Sequence, residues 1–191
     1  MGEIYFSVDV ETDGPCPGVN SMLSIGAVAF SETGERLGDF SSNLDLLPDA
    51  IQNPYTMAWW DTQPEAWTAC RANTVPPAVA MDKFSKWVES FEGSPVFVAY
   101  PAGFDFTYVY WYLIKFIGKS PFGFSALDLK SYAMAMLGTS FRKTVKKNFP
   151  KELTAKLSVS HSHVALDDAA GQGEMFFRMK KWVEAHTKKV S

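Results

Sequence analysis

Alternation of apolar and other residues near the N-terminus predicts a β-strand that ends in two acids. In the segment 4–11 every even position is a strongly apolar residue. Successive side chains of a strand point to opposite faces, so these residues share one face. The odd positions place Tyr5, Ser7, Asp9 and Glu11 on the other face. Two carboxylates therefore point the same way at the end of this strand.

The rest of the chain predicts strands and helices in alternation. The predicted elements are a strand over 22–30, a turn at 32–35, a strand over 36–44, short helices and loops among the prolines of 48–77, a helix over 77–91, a strand over 95–100, a helix over 104–117, a strand over 122–127, a helix over 128–137 ended by Gly138, a long basic loop over 139–162, and a helix over 164–185. This order predicts an α/β fold with helices packed on a mixed sheet.

Helical periodicity separates the two neighbouring acids of the last predicted helix. Asp168 shares a stripe with apolar residues such as Met175 and Met179, whereas Asp167 shares one with charged residues. Asp168 is therefore expected to point inward and Asp167 outward. His163 can reach the same site as Asp168 only if it lies on the loop that enters the helix, because in a continuous helix it would lie about 140° away.

The acids near these elements have two possible roles. Asp9 and Glu11 form a pair of hard oxygen ligands of the kind that Mg²⁺ or Mn²⁺ prefers, but a D-x-E pair can also be solvated surface charge. Asp105 lies between Phe104 and Phe106 at the start of a predicted aromatic helix. It is either a helix N-terminal acid that favours the helix dipole or a partner of a metal ion.

Composition limits the class of protein. The 191 residues, 47% of them hydrophobic, predict one folded domain over 1–191 and exclude a disordered chain. Two cysteines 54 positions apart, Cys16 and Cys70, suggest neither a disulfide scaffold nor a zinc knuckle. The N-terminus does not resemble a signal peptide, and the apolar stretch over 108–118 is too short to cross a bilayer. We therefore expect a cytoplasmic protein that does not enter a membrane.

Charge and aromatic residues indicate where a nucleic acid could bind. The formal net charge is -3, so any polyanion must be bound locally. A segment near +5 contains six basic residues and one acid, which makes it either a solvated loop or a phosphate-binding arm. These basic residues are Arg142, Lys143, Lys146, Lys147, Lys151 and Lys156. Trp59, Trp60 and Trp67 either stack on bases or fill the core.

Three segments carry a family resemblance. The run 9–14 (DVETDG), the segment 103–105 (GFD) and the run 163–169 (HVALDDA) resemble, in order and spacing, the three motifs of the DEDDh 3'-5' exonucleases, which are DnaQ-like proteins. The resemblance implies a ribonuclease-H-like fold with a mixed sheet of about five strands flanked by helices. It also implies hydrolysis of phosphodiester bonds at the 3' end of single-stranded DNA or RNA, with release of nucleoside 5'-monophosphates.

The resemblance also implies roles for individual residues. Asp9, Glu11 and Asp168 would hold one divalent ion, Mg²⁺ or Mn²⁺, with Asp9 bridging to a second ion that Asp105 helps to place. His163 would be the general base. Thr12, in the first motif, is a candidate substrate contact, together with Trp59, Trp60 and the basic residues Arg142, Lys143, Lys146 and Lys147. The family often forms dimers, so a homodimer is possible.

The sequence departs from the family pattern at positions that concern the terminal nucleotide. Tyr100 and Pro101 stand where the second motif often has His-Asn, and Ser24 stands where Glu is frequent. Asp128 resembles the aspartate that family members usually keep for structure. Two alternatives stay open: an oligoribonuclease-like hydrolase of short oligonucleotides, and a catalytically weak nucleic-acid-binding or polymerase-associated module with the same fold.

Overall fold

A computed structural model describes residues 2–155, 157 and 163–186 of the chain, so Lys156 of the basic segment lies outside the described residues. Five strands form one sheet in the order β3-β2-β1-β4-β5. Their bounds are β1 Glu3–Thr12, β2 Met22–Phe30, β3 Arg36–Asn43, β4 Ser94–Ala99 and β5 Leu127–Asp128. The β1–β2 and β2–β3 pairs are antiparallel, and the β1–β4 and β4–β5 pairs are parallel. The sheet is therefore mixed, with β1 at its centre.

Seven α-helices are present in the described part of the chain. They are α1 Pro54–Trp60, α2 Pro64–Arg71, α3 Pro77–Glu89, α4 Ala102–Ile117, α5 Leu129–Leu137, α6 Lys151–Thr154 and α7 Ala165–His186. Proline begins α1, α2 and α3, where its missing N–H has no helical partner to lose. Gly118 and Gly138 end α4 and α5 in the left-handed conformation that glycine adopts without steric cost.

Two hydrophobic layers sandwich the sheet. On one face Phe6, Val8 and Val10 of β1 pack with residues of α3 and α4, as the alternation predicts. On the other face Tyr5 packs against Phe176 of α7, with ring centroids 5.1 Å apart. The central strand is thus covered on both sides, and helix α7 closes the face that carries Asp9 and Glu11. No helix among the described residues is long and apolar enough to cross a membrane.

The structure confirms the predicted α/β architecture and corrects some of its elements. The strand predicted over 122–127 is only Leu127–Asp128, because the chain turns at Gly123, which has a positive φ of 63°. Phe122 in this turn contributes to the core rather than to a strand. The loop predicted over 139–162 contains, in its described part, two 3₁₀ turns and helix α6. Other boundaries move by up to two residues.

Candidate active site

The carboxyl end of β1 presents Asp9 and Glu11 on the face that α7 covers. A register irregularity in the β1–β2 pairing falls between Glu11 and Thr12, immediately after the second acid. Ser24 of β2 is the register partner of Glu11, and its side chain is buried. Bulges of this kind are frequent beside active sites, because they redirect a side chain without ending the strand.

Asp105 reaches this strand end from the first turn of α4. It is buried, and its Oδ1 atom accepts a hydrogen bond from the backbone N–H of Val10 at 3.2 Å. The ladder between β1 and β4 stops at Ser7, so Asp105 supplies an acceptor further along β1 where β4 no longer does. The second predicted motif therefore lies directly beside the first.

Helix α7 lies so close to the sheet that its N-terminus has a fixed position. A Cβ atom at Gly26 of β2 would overlap the backbone of Ala165, so only glycine permits this approach. The Ser7 hydroxyl donates to the Ala169 carbonyl at 2.7 Å. The Gln172 amide donates to the Ser7 hydroxyl at 3.0 Å. These buried polar contacts tie the first turns of α7 to β1.

The third motif divides between the helix and the loop that enters it. Asp168 is buried in the first turn of α7, whereas Asp167 is only partly buried, as the periodicity predicts. His163 precedes the helix on the loop, with a φ of 55° that is uncommon outside glycine. Ligand atoms of Glu11, His163 and Asp168 all lie within 4.8 Å of one another. The two predicted motifs at the ends of the chain thus meet in space.

Electrostatic coupling shows that all four acids share this place. Burial, followed by the charges of Asp105, Glu11 and Asp168, raises the pKa of Asp9 well above its usual value. Burial, followed by the charges of Asp168 and Asp105, raises the pKa of Glu11 to about 8. Burial raises the pKa of Asp105 to about 7, against the opposing effect of the Val10 hydrogen bond. The ionised cluster is unfavourable without positive charge.

The donor set fits hard divalent cations. Several carboxylates that converge in a buried place repel one another unless cations neutralise them. Carboxylate oxygens are the ligands that Mg²⁺ and Mn²⁺ prefer, and one imidazole nearby is compatible with either ion. Glu11, Asp168 and His163 could therefore contact an ion directly. Asp9 and Asp105, which are electrostatically coupled to this group, could complete its surroundings.

The two adjacent tryptophans of α1 have different environments. Trp59 is 36% exposed, and its ring lies edge-on to His163 with centroids 4.8 Å apart. Trp60 is only 2% exposed and donates from Nε1 to the Thr12 carbonyl at 2.9 Å. The buried Thr12 hydroxyl in turn donates to the Gly14 carbonyl at 2.9 Å. Trp60 and Thr12 thus fix the turn after β1, and their contact with substrate stays a prediction.

The basic segment brings one lysine to the acids. The charge of Lys146 lowers the pKa of Asp9, which opposes the effect of the neighbouring carboxylates. Arg142, Lys143 and Lys147 are exposed on the same segment. The sequence pattern did not single out Tyr100 as a contact of this segment, although its hydroxyl donates to the Thr144 carbonyl at 2.6 Å. The sequence feature that could have indicated this contact is the position of Tyr100 directly after β4.

Asp128 has a structural role. Its Oδ2 atom accepts from the Ala102 N–H at 2.9 Å, and its Oδ1 atom accepts from the Ser131 N–H at 2.7 Å. It therefore caps the start of α5 and joins it to the start of α4. This arrangement holds the helix that carries Asp105 in place.

A mixed five-stranded sheet with four acids and a histidine near the end of its central strand is the ribonuclease-H-like fold with the residue set of the DEDDh class of 3'-5' exonucleases. Comparison with protein families gives the narrower assignment. The chain belongs to the family of Rv2179c-like 3'-5' exoribonuclease domains, whose family model matches residues 5–179. The chain is therefore an enzyme that acts on nucleic acid.

Individual relatives agree with this assignment. The chain is 32% identical to the 3'-5' DNA exonuclease Cap18 of Escherichia coli over 187 residues. The aligned region covers 95% of this chain and 94% of Cap18. The nuclease domain of 3'hExo, solved with rAMP, has a TM-score of 0.67 at 11% identity, covering 94% of this chain and 92% of that one. The zinc-bound complex of E. coli ExoI with ssDNA has a TM-score of 0.64 at 16% identity, covering 99% of this chain and 42% of that one. The two structures show a shared fold.

Proposed function

We propose that this exonuclease hydrolyses the last phosphodiester bond at the 3' end of single-stranded DNA or RNA and releases a nucleoside 5'-monophosphate. The observation that carries the proposal is the convergence of Glu11, His163 and Asp168 within 4.8 Å, beside the coupled acids Asp9 and Asp105. This convergence supports the acids as a ligand set and His163 as the base. The unpaired Cys16 and Cys70 support the reducing cytoplasm as its compartment.

We propose that Asp9, Glu11, Asp105 and Asp168 hold two divalent ions, Mg²⁺ or Mn²⁺. The support is the raised pKa of three of these acids, which shows how strongly the ionised site needs positive charge. When bound, such ions stabilise the negative charge that develops on the phosphate and on the leaving oxygen. The protein contributes the fixed positions of the acids, set by β1, α4 and the start of α7.

His163 is the proposed general base, which takes a proton from the attacking water. An imidazole titrates near neutral pH and can therefore accept a proton there. His163 lies on the loop immediately before α7, which begins at Ala165. The edge-on contact with Trp59 orients the ring beside Glu11 and Asp168.

Trp59 is the proposed stacking surface for the terminal base. Its ring is partly exposed and adjacent to His163, so a base stacked there brings the 3' end to the acids. Stacking requires a base that is free of its partner, which favours single strands. The family description names RNA and the name of Cap18 specifies DNA, so we propose that the site accepts both sugars.

One experiment tests this proposal directly. Purified protein is incubated with 5'-labelled single-stranded and duplex oligomers of DNA and RNA, in Mg²⁺, Mn²⁺ or chelator, and the products are separated by length. We expect a ladder that shortens from the 3' end of single strands, that needs a divalent ion and that disappears in Asp168→Ala. Because Asp168 is buried beside like charges, the variant should fold, which circular dichroism checks.

The same assay contains the outcomes that contradict the proposal. Comparable turnover in Asp168→Ala would exclude the metal-ligand role of Asp168. Faster shortening of duplex ends than of single strands would exclude the stacking role given to Trp59. Cleavage in chelator that equals cleavage in Mg²⁺ would exclude dependence on divalent ions.

A further inference from the structure

Tyr100 occupies the junction between β4 and α4 and holds the basic segment that follows α5. Its hydroxyl donates to the Thr144 carbonyl at 2.6 Å. Its ring packs edge-on against Phe149, with centroids 6.1 Å apart. These two contacts lie on either side of residues 145–148. Tyr100 thus connects both ends of this stretch to the carboxyl end of the sheet.

The same ring supports a lysine between those two contacts. The Nζ atom of Lys146 lies 5.7 Å from the centroid of the Tyr100 ring. Cations within about 6 Å of an aromatic centroid are attracted to the ring face. Lys130 approaches the same ring at 5.7 Å, and the Phe141 ring at 5.0 Å, from α5. An aromatic surface therefore holds two ammonium groups at this edge.

The aromatic surface at Tyr100 holds Lys146 near the acids of the active site. The parallel register pairs Ser7 with Val98, two residues before Asp9 and Tyr100, and the Tyr100 ring packs on the α7 face of the sheet, so Lys146 is held at the strand ends that carry the acids. Burial and the charge of Asp128 raise the pKa of Tyr100 to about 12, so the hydroxyl stays protonated and keeps donating to Thr144. A strand bound at these acids would therefore pass the ammonium group of Lys146.

We propose that Tyr100 is a positioning residue, which holds the segment 141–149 so that Lys146 contacts a phosphate of the nucleic-acid strand in the active site. This inference rests on the proposed function. Tyr100 acts through Lys146 and does not touch the substrate. It also explains what this chain gains from a tyrosine at the position where the resemblance leads one to expect histidine.

The test is a double-mutant cycle between Tyr100 and Lys146. The variants are Tyr100→Ala, Lys146→Met and the two combined, each in the Asp168→Ala background to prevent turnover. Affinity for a 5'-labelled single-stranded oligomer is measured by fluorescence anisotropy over a range of salt concentrations. Lys83→Met is the matched control, because it removes one charge from an exposed site on α3, which packs on the other face of the sheet.

We expect Lys146→Met to weaken binding about tenfold, as for loss of one charge-assisted contact. The slope of log K against log salt should become shallower by about 0.7, the value for one phosphate contact on a single strand. Tyr100→Ala should weaken binding and flatten the slope in the same direction. In the Lys146→Met background it should add nothing further, because the lysine that it positions is already absent. Lys83→Met should match the parent.

Two results would overturn the positioning role. One is additive losses in the combined variant, and the other is weaker binding by Tyr100→Ala with an unchanged salt slope. If Tyr100→Ala does not fold, Tyr100→Phe decides, since it keeps the ring and loses only the bond to Thr144. If the affinity and the salt slope of Tyr100→Phe then equal those of the parent protein, the proposal is rejected. The cleavage assay on the unmodified protein is a separate measurement. Failure to shorten the oligomer in that assay would reject the proposed function.

Discussion

The acidic cluster predicts that the metal-free protein loses stability as the pH rises. The pKa of Glu11 is raised from 4.5 to about 8, by burial first and then by Asp168 and Asp105. Between these two values the folded state keeps a proton that the unfolded state has lost. The stabilisation that this proton contributes is therefore fully present below pH 4.5. It is lost progressively as the pH rises through the pKa of Glu11 in the folded state, about 8.

The size of this effect follows from the shift. One proton bound only in the folded state gives a slope of about 1.4 kcal/mol per pH unit. Over the whole shift of Glu11, this one group lowers the free energy of unfolding by about 5 kcal/mol, and the raised pKa values of Asp9 and Asp105 act in the same direction. For a chain of this length, a change of 1 kcal/mol moves Tm by about 2–4 °C. We expect Tm to fall by about 3–5 °C per pH unit between pH 5.5 and pH 8.

The assay is differential scanning calorimetry of chelator-treated protein at constant ionic strength. Glu11→Gln is the control, because it keeps the shape of the side chain and removes its titration. Its Tm should vary less with pH and should exceed that of the parent at pH 8. Saturating Mn²⁺ should reverse the trend, since cations bind the deprotonated acids. A metal-free Tm that is flat or rises over this range, or equal slopes in Glu11→Gln, would refute the reasoning.

Three substitutions test other parts of the site. His163→Ala should lower kcat by about 10²- to 10⁴-fold while Mn²⁺ affinity in calorimetry stays within a few fold; an unchanged kcat would remove His163 as the base. Trp59→Ala should raise KM for single strands about tenfold, and Trp59→Phe should recover most of it; a loss confined to kcat would contradict stacking. Gly26→Ala should lower the free energy of unfolding by about 1–3 kcal/mol in denaturant melts, because the new Cβ meets the backbone of Ala165. Gly103→Ala, whose Cβ meets open space, is its control and should not be destabilised; equal losses in both variants would contradict the close approach of α7.

Local periodicity was sufficient where an element is long and buried on a defined side. The alternation along β1 predicts which residues face α3 and α4, and the structure confirms it for Phe6, Val8 and Val10. The helical stripe of α7 likewise predicts that Asp168 is more buried than Asp167. In both cases each side chain is placed by the period of its own element, which the sequence contains.

The same local patterns could not predict short elements or contacts between residues far apart in the sequence. Trp59 and Trp60 are adjacent in a helix of seven residues, too short for its periodicity to separate them. What separates them is the Thr12 carbonyl, which accepts from Trp60 but lies 48 positions away. The aromatic residues near Phe122 suggested a strand, but the turn at Gly123 sends that ring into the core instead.

The net charge of -3 conceals two groups of opposite charge, which are the acids at the end of β1 and the lysine that lies over the Tyr100 ring. The acids at the end of β1 would repel a phosphodiester, whereas Lys146 beside Asp9 would attract it. Two divalent ions among the four acids would cancel the negative charge of the first group and leave the second unchanged. Cation binding and nucleic-acid binding must therefore strengthen each other by the same factor, because linkage between two sites is reciprocal. For this chain the local charge at the site, rather than the total, determines whether a polyanion binds.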